Sequence, residues 1–171
     1  MKRTLFGVAT IVLIMLATSC KDDMFLTKKL EKLPTNVITP AELIKNHNIN
    51  VAEVEKLYPS GLESFGDTIP QAYLDEWRRF LFGMCNALTK AGLEREKDYR
   101  LWLRGHYSAD GSVEYFFYNF LGQDMPSPEW EAQFQEVMKE YIKTFRFNYP
   151  INQKFSQCGS AILEATKPKE K

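Results

Sequence analysis

Two histidines, three cysteines and no net charge leave this 171-residue chain short of the usual tools of catalysis. Only His47 and His106 titrate near neutral pH. No cysteine has a second Cys or a His at zinc-site spacing, so a structural metal is not expected. The glycines form no phosphate-cradling loop, and no HExxH occurs. Gly159-Ser160-Ala161 lacks the flanks of a nucleophile elbow. Acidic neighbours such as Asp75 with Glu76, or Glu94 with Glu96, fall on helix ends and polar faces. Solvated surface explains them better than two carboxylates converging on a cleft. Basic and acidic side chains number 22 each, which leaves no excess of positive charge for nucleic acid. The apolar run Leu5 to Ala17 would reach roughly 20 Å as a helix, short of the ~30 Å hydrocarbon core. No catalytic residue, metal or cofactor is nominated, and the chain reads as a non-enzyme.

What the chain does have begins at its amino terminus. Lys2 and Arg3 precede that apolar run. Ala17-Thr18-Ser19 follows as a small-residue stretch, and then Cys20. Charge, apolar stretch and small residues in this order make an export signal. Small residues directly before a cysteine resemble the lipobox of bacterial lipoproteins. The usual Leu three residues before the Cys is Ala17 here, with Leu16 one further back, a relaxed form familiar in Bacteroidetes. Lys21-Asp22-Asp23 resembles the surface-export signal of lipoproteins from that group; a solvated charged tether is the plainer reading. The resemblance implies that 1–19 is removed and that Cys20 is acylated. It implies anchoring in the outer membrane, facing either the cell surface or the periplasm. Two or more acyl chains hold permanently where one does not. Removing Lys2 and Arg3 leaves 20 basic and 22 acidic side chains, so no basic patch assists the anchor. An ordinary signal with a chance cysteine is the alternative.

Cys85 and Cys158 remain. An even pair in an oxidising compartment suggests a disulfide, worth roughly 4 kcal/mol for a loop of about 70 residues in the chain-entropy model. Two separate buried thiols are the preferred reading, because each cysteine also suits a core position.

Residues 20–38 read as a flexible tether kept solvated by Lys28, Lys29, Glu31 and Lys32. Thr39-Pro40-Ala41-Glu42 is a capping box with Pro at the first helical position, and Asn50-Val51-Ala52-Glu53 repeats the logic. With Leu43, Ile44, Val51, Val54 and Leu57 they predict a short helical hairpin within 39–66. The main domain spans 67–165. Leu74, Trp77, Leu81, Met84 and Leu88 fall at helical spacing, widened by Tyr73, Phe80 and Cys85, and Gly92 is a stop. Tyr99 to Tyr107 and Ser112 to Phe120 flank Asp110-Gly111, a hairpin signal. Ser127-Pro128-Glu129 opens a second helix carrying Trp130, Phe134, Val137, Met138, Tyr141 and Phe145. Phe155 to Leu163 is a last strand, and 166–171 a charged tail expected to be disordered.

The predicted order is helix, strand, strand, helix, strand: an α+β domain with a small antiparallel sheet and helices on one face, preceded by the helical hairpin. Over 70–165 this order, with Asp110-Gly111 at the hairpin tip, resembles the carboxy-terminal domains of TolA and TonB. No Pro-rich spacer and no uncleaved membrane anchor accompany it, so the resemblance implies the fold and not their energy coupling.

The predicted hairpin is aromatic on both sides, so either both faces are covered or one binds something. Trp102, His106, Phe116 and Tyr118 are the candidate binding face. The plainer reading puts core on one face and the helical hairpin on the other. The function expected is a membrane-anchored envelope protein whose non-catalytic domain binds another protein, such as an accessory subunit of an outer-membrane or secretion assembly. A free sheet edge would allow strand addition. The alternative is a surface glycan-binding lipoprotein that uses the aromatic hairpin.

Overall fold

A computed structural model describes residues 23–166, in two units that divide between Pro34 and Thr35. In the first unit, residues 23–31 are helical (α1). Leu26 and Leu30, four apart, are its buried side chains, while Met24 and Phe25 are exposed. This corrects the expected tether: the Leu26/Leu30 stripe supports a helix despite the lysines around it.

The second unit carries β1 (Val37–Ile38), α2 (Pro40–His47), α3 (Val51–Leu57), a 3-10 helix (Gly61–Phe65), α4 (Gln71–Lys90), β2 (Tyr99–Tyr107), β3 (Val113–Leu121), α5 (Pro128–Thr144) and β4 (Phe155–Leu163). It is an α+β fold. The sheet order is β1-β3-β2-β4. β2 pairs antiparallel with β3 and β4, while β1 runs parallel to β3. The sheet is therefore four-stranded and mixed, not three-stranded and antiparallel. The added strand comes from the end of the expected tether, where Val37 sits opposite Phe116 and Ile38 opposite Phe117.

Local chemistry accounts for the helix ends. Thr39 Oγ1 accepts from the Glu42 amide at 3.2 Å, and the Glu42 carboxylate accepts from the Thr39 amide at 3.0 Å. α2 stops at Asn48 in the left-handed region, φ 50°. Asn50 caps α3 through the Ala52 amide, and Ser127 caps α5 through the Trp130 amide. Between β2 and β3, Asp110 accepts from the Ser112 amide, and Gly111 takes the positive φ of 79° that the turn needs.

α4 and α5 cover one face of the sheet. Tyr73, Trp77, Phe80, Met84 and Leu88 of α4, and Phe134, Met138 and Ile142 of α5, join Leu101, Leu103, Tyr107, Phe116, Tyr118 and Phe120 in one core. Trp77 stacks on Phe80 at 5.4 Å and 4°. Each such burial contributes roughly 1.5–3 kcal/mol, offset by the entropy of ordering the chain.

The alternation expected of β3 breaks at one place. His106 pairs with Tyr115, but Tyr107 pairs with Val113, which leaves Glu114 as a bulge residue. Because side chains alternate, the extra residue turns Val113 away from the face of Tyr115 and into the main core.

The outer face of the sheet has two halves. At the His106 end, Ile38, Leu43, Ile49, Val54, Tyr58 and Phe117 are buried outside the main core. There α2 packs on α3 and on β3. The helical hairpin thus covers the second face, and helices are not confined to one. At the other end, two cross-strand rows lie open: Ile162, Arg100 and Leu121, then Ser160, Trp102 and Asn119. All are exposed except Trp102, which is half-buried.

Candidate functional site

The four residues expected to share a binding face do not share one. Phe116 and Tyr118 belong to the face under α4 and α5 and are fully buried. The Tyr118 hydroxyl donates to Glu131 at 2.8 Å and accepts from Gln135 at 2.6 Å. Its ring meets Phe134 edge-on at 5.1 Å. A satisfied hydroxyl among packed rings is core. His106 is on the outer face but fully buried, with the Phe117 ring at 4.4 Å and Tyr58 edge-on at 5.2 Å. Burial, reinforced by the Arg104 guanidinium, pushes His106 down to about 3, against a hydrogen bond to the Tyr115 backbone that favours the charged ring. Neither ring nitrogen meets full hydrogen-bond geometry with a partner among the described residues. A neutral, sealed imidazole is not a surface acid or base. Trp102 alone of the four reaches solvent. His47 is half-buried at the end of α2.

The cysteines do not pair. Both thiols are free. Cys85 sits on α4 against the main core, and burial pushes its thiol up. Cys158 pairs across β4 and β2 with Arg104 on the outer face, where it is exposed. The sheet lies between them, which spacing along the chain could not reveal. Cys20, Lys21 and Asp22 lie outside the described residues. Asp23 is exposed at the start of those described, and its carbonyl accepts from Thr27 Oγ1 at 2.8 Å.

Two features stand at the margin of the helical hairpin. The first is a cleft of about 340 Å³ between α3, the 3-10 helix and the sheet. Glu55 and Lys56 come from α3, Glu63 from the 3-10 helix, and Arg104, Ser156 and Cys158 from the sheet. Arg104 is ion-paired through Nη1 to Glu55. Its guanidinium carbon lies 5.6 Å from the centre of the Trp102 ring. Its Nε is buried with no acceptor among the described residues. At the back, Tyr58 donates to Glu114 at 2.5 Å, and Lys154 reaches the same carboxylate at 2.9 Å. Burial and that carboxylate hold the Tyr58 hydroxyl far above its ordinary range.

The second is the outer edge of β4. The Ser156 amide donates away from the sheet, to the Pro59 carbonyl at 2.8 Å. By the two-residue alternation, the amides of Cys158, Ser160 and Ile162 also point outward. The Cys158 carbonyl takes a bond from the Gln157 side chain at 2.7 Å. From there to Leu163 no strand among the described residues borders β4. The strand has no charge, no Pro and no bulge: nine consecutive residues pair regularly with β2. Natural edges are usually blunted by such devices.

No family model, no curated protein and no solved structure matches the chain. Function therefore has to be argued from these two features. Among the described residues, no group of three or more His, Cys, Asp or Glu could hold a metal, and no helix is long and apolar enough to cross a membrane. Sequence reasoning named neither Glu55 nor Glu63. The available signal was Arg104, a charge set between Trp102 and His106 on one strand face.

Proposed function

We propose that the chain is an outer-membrane lipoprotein, anchored through acylated Cys20, whose α+β domain binds another protein without catalysing a reaction. The observation that carries the binding role is the unblunted edge of β4. An extended segment of a partner would continue the sheet there, meeting the outward amides of Ser160 and Ile162. Its side chains would lie beside Ile162, which is 59% exposed. An accessory subunit of an envelope assembly fits such a surface. Cys20 and the residues after it supply the address, at the cell surface or on the periplasmic side.

The test is co-purification from membranes solubilised in mild detergent, with the unmutated chain and with Ser160→Pro. Proline is tolerated on an edge strand whose N–H faces outward, so the fold should survive; the donor that a partner strand needs is lost. The expected result is a partner retained by the unmutated chain and absent from the variant. A lone monomer in both, or equal capture by both, would overturn the reading.

A further inference from the structure

We propose that the cleft between α3 and the outer face of the sheet binds a neutral polyhydroxylated ligand, a saccharide. Arg104, Glu55 and Glu63 would take its hydroxyls, and Trp102 would take its ring face. The inference does not depend on the β4 edge. It also places glycan recognition away from the buried rings of Phe116 and Tyr118.

Size is the first argument. About 340 Å³ lies at the low end for small-molecule sites, roughly 300–1,000 Å³, and suits one or two sugar rings. Charge is the second. Lys56 and Arg104 are balanced by Glu55 and Glu63, so the lining carries no net charge. A phosphate or sulfate would have to sit beside two carboxylates, and a polyamine beside a lysine and an arginine. A hydroxyl both donates and accepts, so it can use a guanidinium N–H and a carboxylate oxygen together. An apolar ligand would desolvate all four charges and give Lys56 and Glu63 no polar contact of its own in return.

Arg104 is the fixed cation of the lining. Its Nη1 is occupied by Glu55, whereas its Nε–H is buried without an acceptor among the described residues. A ligand oxygen in the cleft would instead meet the part of the Arg104 side chain that lines it, 18% exposed, with the guanidinium already held between Glu55 and Trp102. Such preorganisation lowers the entropy lost on binding. Trp102 lies beyond the cleft lining, in the next row of the same face, half-exposed with Arg104 over its ring; a sugar extending past the cleft would pack its apolar C–H side on the part left open.

The experiment is saturation-transfer NMR on the full chain in detergent, with glucose, galactose, mannose and N-acetylglucosamine as probes and inorganic phosphate as competitor. At least one sugar should receive saturation and phosphate should not displace it. Affinity should fall about tenfold in Glu63→Ala and in Trp102→Ala. It should be unchanged in Ile162→Lys, whose residue lies on the open edge. Glu63 is exposed, so its removal leaves the fold intact, which near-ultraviolet circular dichroism checks. Absence of transfer from all four sugars, displacement by phosphate, or unchanged affinity in either cleft variant would overturn the proposal. None of these results bears on partner capture by β4.

Discussion

His106 makes stability depend on pH in a way that can be worked out in advance. Its ring is sealed between Tyr58 and Phe117, beside the Tyr115 backbone of the neighbouring strand. Burial and the fixed positive charge of Arg104 oppose its protonation, and only the Tyr115 backbone favours it. Its folded value is about 3, against 6.5 for a free imidazole. Below 6.5 the unfolded chain binds a proton that the folded chain refuses, so stability falls with pH from there down to about 3. One pH unit is worth about 1.4 kcal/mol in that window, so at pH 5 the loss from this ring is about 2 kcal/mol. That is a large fraction of a total stability of roughly 5–15 kcal/mol. Carboxylates titrate over part of the same range, so the measurement is a difference. Urea unfolding, followed by tryptophan fluorescence, is run at pH 7 and pH 5 on the unmutated chain and on His106→Leu. Leucine fills similar space and carries no titrating nitrogen. The unmutated chain should lose about 2 kcal/mol more than the variant between the two conditions. Parallel losses would mean that His106 reaches water, and the covered-face account would fail.

Three further outcomes follow from the packing and the anchor. Gly83→Ala should lower stability by about 1–3 kcal/mol in urea unfolding, because an added Cβ would lie 2.8 Å from Tyr141 Cζ and disturb the hydroxyl that donates to the Phe80 carbonyl. Leu43→Ala should cost about 2–5 kcal/mol and raise binding of a hydrophobic dye; Leu43 is fully buried outside the main core, where α2 meets β3, and no change would deny α2 its covering role. The unmutated chain should take up labelled fatty acid, and Cys20→Ala should neither take it up nor fractionate with membranes; no uptake by the unmutated chain together with a membrane-bound variant would remove the anchor from the proposal.

The elements that could be read from sequence are those fixed by neighbours within one turn. The capping box at Thr39, the stripe from Tyr73 to Leu88 and the turn at Asp110-Gly111 are all local, and each stands where expected. Long-range features were hidden. Val37 and Ile38 are too short a run to announce a strand, and become one only because β3 offers its edge. The α1 stripe is two leucines inside a lysine-rich stretch. A single bulge residue, Glu114, redirects Val113, and no periodicity within β3 signals it. Double-sided aromatic patterning did indicate two covered faces. Strand alternation also puts the adjacent rings of Phe116 and Phe117 on opposite faces, and they do enter different cores. The cleft was harder still, since Glu55, Glu63 and Arg104 come from three elements scattered along the chain.

Both candidate surfaces lie where the α2–α3 cover stops. A helical hairpin spanning the whole outer face would bury Trp102 and fill the cleft; one any shorter would leave His106 wet. Each surface is modest. The open edge of β4 offers only the stretch from Cys158 to Leu163, and the cleft holds a ring or two. In free solution such sites bind weakly, because association costs several kcal/mol of lost motion before any contact is counted. The proposed lipid at Cys20 would change that arithmetic. It would confine the domain to the same surface as a partner or glycan, so that encounters would occur at an effective concentration of about millimolar, where weak sites fill. The proposed anchor would serve either surface independently. Release of the domain from its anchor by Cys20→Ala should weaken partner capture and leave saccharide affinity per site unchanged.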